Sequence, residues 1–208
     1  MTKIFKYLNK DGGIMKKYPL ELIDKFLHEL GYECTDPEHK ETPRRIVDLY
    51  RDMFSGRDID IKKFFNRPLP KQHNEMTTIG PIEYVSLCEH HLWPFFGEVF
   101  VAYIPRGKIV GLSKFISAVR AEARRPQLQE RMTTNLANAI DECLQPLGCM
   151  VIVRGTHTCM LVGGRYDYGM PAHTDAKTMT SAVRGVFLNF EPPRNEAMKL
   201  FELALLRR

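Results

Sequence analysis

The sequence predicts an α+β fold built on an antiparallel sheet, and two observations carry that prediction. Apolar residues recur at helical spacing near both ends of the chain, while segments rich in Val, Ile, Phe and Tyr group in its middle. No internal repeat or low-complexity stretch interrupts the 208 residues, which sets aside solenoids and arrays. The pattern divides the chain into an expected N-terminal helical region over 1–75 and a sheet-bearing unit over 76–208.

The first helix places Leu20, Ile23, Phe26, Leu27 and Leu30 on one face, and Gly31 offers its stop. A second helix starts at Thr42-Pro43 and carries Ile46, Val47, Tyr50, Met53 and Phe54 as far as Ser55-Gly56. Residues 57–75 are polar, hold Pro68 and Pro70, and read as a connecting loop. Extended segments follow at Ile82–Leu87 and Gly97–Ile104, the latter ended by Pro105 and the turn Arg106-Gly107-Lys108. Helices are expected over 113–124 and 127–145, the second with Leu128, Met132, Leu136, Ile140 and Leu144 in one stripe before Pro146 and Gly148. Met150–Val153 and Thr158–Val162 read as a strand pair, 163–176 as a loop, and Thr178–Leu188 as a strand. An amphipathic helix is expected from Pro193 onward.

Apolar residues make up 44% and charged residues 26%, as in a globular protein rather than a disordered one. The longest apolar runs, Val99–Ile104 and Cys149–Val153, fall far short of the ~18 residues of a membrane span. The N-terminus carries Lys3 and Lys6 where a secretory sequence would be apolar. No membrane partner is therefore expected, and the cytoplasm is the expected compartment. Thirty Lys and Arg against 25 Asp and Glu leave a net charge of +5. These charges are dispersed in clusters as short as Arg124-Arg125, which fits a small anionic substrate better than nucleic acid. Of five cysteines, Cys143 and Cys149 lie in apolar surroundings, and an odd number without a signal argues against a disulfide framework.

Cys88 and Cys159 differ from the others in their histidine neighbours. Cys88-Glu89-His90-His91 ends one expected strand, and His157-Thr158-Cys159 lies far along the chain. Thiolate and imidazole are the ligands zinc prefers; Cys88, His91 and Cys159 would leave a fourth position open for water, whereas His90 as a fourth ligand would close a structural site. His90 or His157 could move protons near neutral pH. Buried core residues are the bland alternative for such pairs.

In order along the chain stand Cys88-Glu89-His90-His91-Leu92, Tyr103-Ile104-Pro105, Gly111-Leu112-Ser113-Lys114, Arg125-Pro126-Gln127-Leu128-Gln129-Glu130-Arg131, Thr156-His157-Thr158-Cys159-Met160 and Lys177-Thr178-Met179-Thr180-Ser181. Over residues 18–206 this pattern resembles the GTP cyclohydrolase I family. The resemblance implies a tunnelling fold (T-fold) assembled as a homo-oligomer, a decamer with active sites between subunits, and hydrolysis of GTP at C8 with release of formate to give 7,8-dihydroneopterin triphosphate. It further implies that Cys88, His91 and Cys159 hold zinc. His157 would protonate the purine ring, and His90 would assist later transfers. Glu130 would read the guanine edge with Gln129 and backbone groups near Leu128, Ser113 would contact the ribose, and Lys114, Arg45 and Arg165 would meet phosphate. From the residues alone, Glu130 and Arg131 read equally as a solvated helix face and Ser113 as a helix cap.

The chain departs from the family where a triphosphate of charge roughly −4 needs cations. Ser117 stands for an arginine three residues past Lys114, Gly163 for one four residues past Cys159, and Asp48 for a lysine three past Arg45. The loop after Cys159 is about five residues longer than in the family. The expected substrate is thus a purine nucleotide or nucleoside: GTP in the lead, a guanine nucleoside or monophosphate as the alternative, and a non-catalytic purine binder as the second alternative.

Overall fold

The computed structural model describes residues 17–70, 73–161 and 176–206. They belong to two compact units, one ending at Asp52 and one starting at Met53. The first unit holds α1 (Lys17–Glu29) and α2, which starts at Thr42 and runs to Met53. Gly31 ends α1 in the left-handed region at φ +79°, and its N–H reaches the His28 carbonyl at 2.8 Å. On α2, Arg44 bonds Glu41 at 2.8 Å and Asp48 at 3.4 Å.

The second unit opens with a 3-10 turn, Ile61–Phe64, whose N-terminus is capped by the Asp60 carboxylate accepting from the Lys62 N–H. The stretch expected to be only a loop therefore contains this turn and β1 (Leu69–Pro70), because Ile61 and Phe65 bury themselves in the core despite their polar neighbours. Then come β2 (Thr77–Cys88), β3 (Pro94–Ile104), β4 (Lys108–Ile109), α3 (Ser113–Ala123), β5 (Pro126–Gln127), α4 (Gln129–Leu144), β6 (Gly148–His157), α5 (Thr158–Leu161), β7 (Thr178–Gly185), α6 (Val186–Asn189) and α7 (Glu191–Leu205). β1 pairs with β4, and the main sheet runs β5-β2-β3-β6-β7. It is antiparallel except where β5 lies parallel to β2.

Two expectations are corrected. Thr158–Leu161 is a helical turn rather than a strand, since β6 already occupies the place between β3 and β7 up to His157. The last strand stops at Gly185, where φ is +59° and a Cβ would stand 2.2 Å from the Leu147 carbonyl oxygen; Val186–Asn189 then turn as a helix. Most of the long segment after Cys159, 162–175, lies outside the described residues.

One sheet face, with Tyr84, Phe95, Val99, Tyr103, Val151 and Val153, packs on α3 and α4. The α4 stripe of Met132, Leu136, Ile140 and Leu144 is fully buried, each side chain contributing about 1.5–3 kcal/mol. The opposite face, with Phe100, Ala102, Met150 and Ile152, meets Phe187, Ala197 and Phe201 of α6 and α7. Toward the far end of β2 that face is bare, and Val85, Phe96, the Glu98–Arg154 pair and Lys177 line a cavity of about 450 Å³.

Glu122 of α3 is buried to 1% exposure; it accepts from Asn135 at 2.7 Å and lies 3.4 Å from Arg125. Burial pushes its carboxyl above the usual range, and the Asn135 hydrogen bond and the charges of Arg125 and Arg131 only partly oppose this. A raised carboxyl gives its stabilising contribution below the unfolded value and loses it as pH climbs through the folded one. Glu122→Gln keeps the acceptor for Asn135 and removes the charge. It is expected to melt at a higher temperature than the parent at pH 7, with the gain fading at pH 4. Parallel thermal melts at the two pH values check this; an unchanged or lower midpoint at pH 7 would refute it.

Candidate active site

β2 and β6 both run antiparallel to β3, so both end where β3 begins. Leu87 pairs with Pro94 and Phe95 with His157, which brings Cys88, His157 and Cys159 to one end of the sheet. The chain leaves β2 through a tight turn in which the Cys88 N–H donates to the Trp93 carbonyl at 2.9 Å and the Leu92 N–H to the Cys88 carbonyl at 2.8 Å. Leu92 takes the left-handed conformation, φ +52°, to close it. Cys88 stays buried while His90 and His91 stand exposed, their rings edge-to-face at 6.2 Å. The turn is tied to its neighbours twice. The Glu89 N–H donates to the Gln127 carbonyl at 3.3 Å, and Arg131 of α4 forks onto the Glu89 carboxylate at 2.6 and 3.0 Å, holding that carboxyl below its usual range. On the other strand, Thr158 Oγ1 donates to the Pro94 carbonyl at 2.7 Å and seats the half-buried Cys159.

His157 is the most constrained side chain of the group. Its ring stacks flat on Phe95, centroids 4.7 Å apart at 1°, and Nε2 lies 3.0 Å from Gln129 Oε1. Burial lowers its basicity, and the Glu130 carboxylate opposes that shift, so Glu130 and His157 share one environment. Gln129 is fully buried, Leu128 is half-buried and extended just ahead of α4, and Glu130 stands exposed in the first helical turn, where free N–H groups favour a carboxylate.

Ser113 and Lys114 open α3 and are exposed. Leu112, not Ser113, occupies the cap position, so the capping reading of Ser113 is not what the fold uses. Ser117 Oγ turns back to donate to the Ser113 carbonyl at 3.0 Å. Arg45 is exposed on α2 of the first unit. Arg165 and Gly163 lie outside the described residues. Sequence reasoning missed Phe95, the Glu89–Arg131 fork and Thr180, which accepts from Gln129 at 3.2 Å. Only the strand register could have revealed them.

Two thiols and an imidazole delivered to one sheet end suit zinc by donor chemistry. Among the described residues, no three Cys, His, Asp or Glu side chains are gathered tightly enough to form a metal cluster on their own.

The model of the family described as GTP cyclohydrolase I matches residues 20–202. This chain belongs to the GTP cyclohydrolase I family. The relative named GTP cyclohydrolase 1 in Geobacillus kaustophilus (strain HTA426) is 45% identical over 187 residues, covering 89% of this chain and 95% of the relative. That of Bacillus subtilis (strain 168) is 42% identical over 180 residues, covering 86% and 92%. A third, from Carboxydothermus hydrogenoformans, is 41% identical over 189 residues, covering 90% and 95%. The helix-backed curled sheet accords with the T-fold of GTP cyclohydrolase I, and no described helix is long and apolar enough to cross a membrane.

Proposed function

We propose that the chain hydrolyses GTP at C8 of the guanine ring, releases formate and forms 7,8-dihydroneopterin triphosphate. The observation that carries this reading is His157, clamped between Phe95 and Gln129, in one environment with the Glu130 carboxylate and at the same sheet end as Cys88 and Cys159. Glu130 accepts from the guanine ring N–H and exocyclic amine, and the backbone near Leu128 completes that edge. His157 gives a proton to the purine ring nitrogen as the C8–N bond weakens, and the exposed His90 carries later protons. Ser113 holds the ribose, while Lys114, with Arg45 and Arg165, meets the phosphates. Cys88, His91 and Cys159 are the residues that would hold zinc, which supplies Lewis acidity at the carbon under attack. The bare sheet end, with Val85 at 48%, Phe96 at 44% and Met179 at 61% exposure, supports a homo-oligomer, the family's decamer with sites between subunits.

A second reading keeps the chemistry and removes the triphosphate. Ser117 spends its hydroxyl on its own helix, and the Asp48 carboxylate lies 3.4 Å from Arg44, so neither position offers a cation. Formate release from GTP, GMP and guanosine by the zinc-loaded protein decides between them. Preferential turnover of GTP is the expected result; turnover of guanosine or GMP with GTP untouched would transfer the assignment to the second reading. Formate from none of the three would leave a purine binder.

A further inference from the structure

We propose that Gln129 is the positioning residue of His157: it fixes the ring's orientation and decides which nitrogen the ring presents to substrate, an inference that rests on the catalytic reading of His157 above. A carboxamide has one accepting end and one donating end, and its hydrogen-bonding neighbours tell the two apart. At Gln129 the neighbours settle the matter. Nε2 lies 3.0 Å from the Val153 carbonyl oxygen, 3.1 Å from that of Thr178 and 3.2 Å from Thr180 Oγ1. Carbonyls only accept, so the end facing them is the NH2 group, and a reversed amide would set oxygen against two oxygens. The end facing His157 is therefore Oε1, a pure acceptor. The 3.0 Å contact then requires the hydrogen on His157 Nε2 and leaves Nδ1, the lone-pair nitrogen, as the ring's working atom, which takes up a proton from solvent before it gives one to the purine.

The arrangement has no slack. Thr133 Oγ1 donates to the Gln129 carbonyl at 2.8 Å and lies 2.6 Å from Thr180 Oγ1. With the Thr133 hydrogen spent, Thr180 donates to Thr133 and turns a lone pair toward the Gln129 NH2, whose two hydrogens are shared among Thr180 and the Val153 and Thr178 carbonyls. Residue 155 is glycine where the carboxamide sits: a Cβ there would stand 2.3 Å from Gln129 Oε1 and 2.8 Å from the Tyr84 hydroxyl oxygen. Phe95 confines the His157 ring by its face and Gln129 confines it by its edge. A fully buried amide satisfied at both ends acts as a rigid bracket rather than as a substrate contact.

Gln129→Met keeps the side chain's length and removes both ends of the bracket, and Gly155→Ala displaces it without altering Gln129. In each folded, zinc-loaded variant, kcat for formate release is expected to fall about 10- to 100-fold, with zinc content unchanged and KM for GTP within about threefold of the parent. Solid-state 15N spectra of histidine-labelled protein, with His157→Asn identifying the signal, are expected to show His157 protonated at Nε2 in the parent and as a mixture of tautomers in the variants. The proposal is overturned by Nδ1–H in the parent, by a folded Gln129→Met with unchanged kcat, or by a raised KM at unchanged kcat, which would place Gln129 on the substrate. The parent spectrum decides the matter even where a variant does not fold. If the parent releases formate from no guanine compound, the catalytic reading falls by itself, and the 15N signal still tests the bracket.

Discussion

Cys159→Ala is expected to lose its zinc and its formate release together, while Cys149→Ala keeps both. The two thiols differ by position, not by chemistry. Cys149 is wholly buried in β6, bonds the Ala137 carbonyl at 3.6 Å, and is pushed up to about 12 by burial, so it remains a protonated core residue. Its truncation removes one buried atom, a loss of about 1 kcal/mol without consequence at the sheet end. Cys159 sits on the turn just past His157, half-buried and at the sheet end shared with Cys88. Its loss leaves one thiol and one imidazole, too few to retain zinc in a site that must also stay open. Metal analysis of both purified variants, beside a formate assay and a melting curve, separates ligand loss from unfolding. Turnover surviving in metal-free Cys159→Ala would remove zinc from the mechanism, and zinc retained by that variant would remove Cys159 from the ligand set.

How much of this was legible beforehand depended on the range of the interaction. The stripe from Met132 to Leu144 announced α4 because helical burial repeats within one element, and the β-branched run at Gly97–Ile104 announced β3 in the same way. Thr158–Val162 misled because its residues favour strands, whereas the decision belonged to the register of β6 between two partners. β5 is two residues long and parallel to β2, too short to leave a periodic mark. The Cys88 and Cys159 motifs were visible as local spacings; that they come to the same end of the sheet is a consequence of both strands pairing with β3. Arg131 read as a solvated charge on a helix, yet it forks onto Glu89, 42 residues earlier, and ties the turn after β2 to the helix that carries Glu130. The side chains that hold His157 were illegible for the same reason, since Phe95 and Gln129 reach it only through the folded sheet.

Glu130→Gln is expected to lower kcat/KM for GTP by roughly 10²- to 10⁴-fold while leaving the fold intact. The carboxylate stands exposed in the first turn of α4, so its removal costs the helix only about 0.5 kcal/mol of charge–dipole stabilisation. The loss at the site is larger because glutamine has the same shape with half the accepting capacity. One of its ends becomes a donor, and against guanine's ring N–H and exocyclic amine that end is left facing another donor. A site built to receive two N–H groups discriminates strongly when one goes unpaired. The same logic supplies an internal control in inosine triphosphate, which lacks the exocyclic amine. With the parent it should already turn over poorly, and Glu130→Gln should harm it far less than GTP, because one of the two interactions is absent in both cases. Equal losses for the two nucleotides would mean that Glu130 does not read the amine. Its effect would then reach the reaction through the neighbouring His157, whose protonation its charge favours.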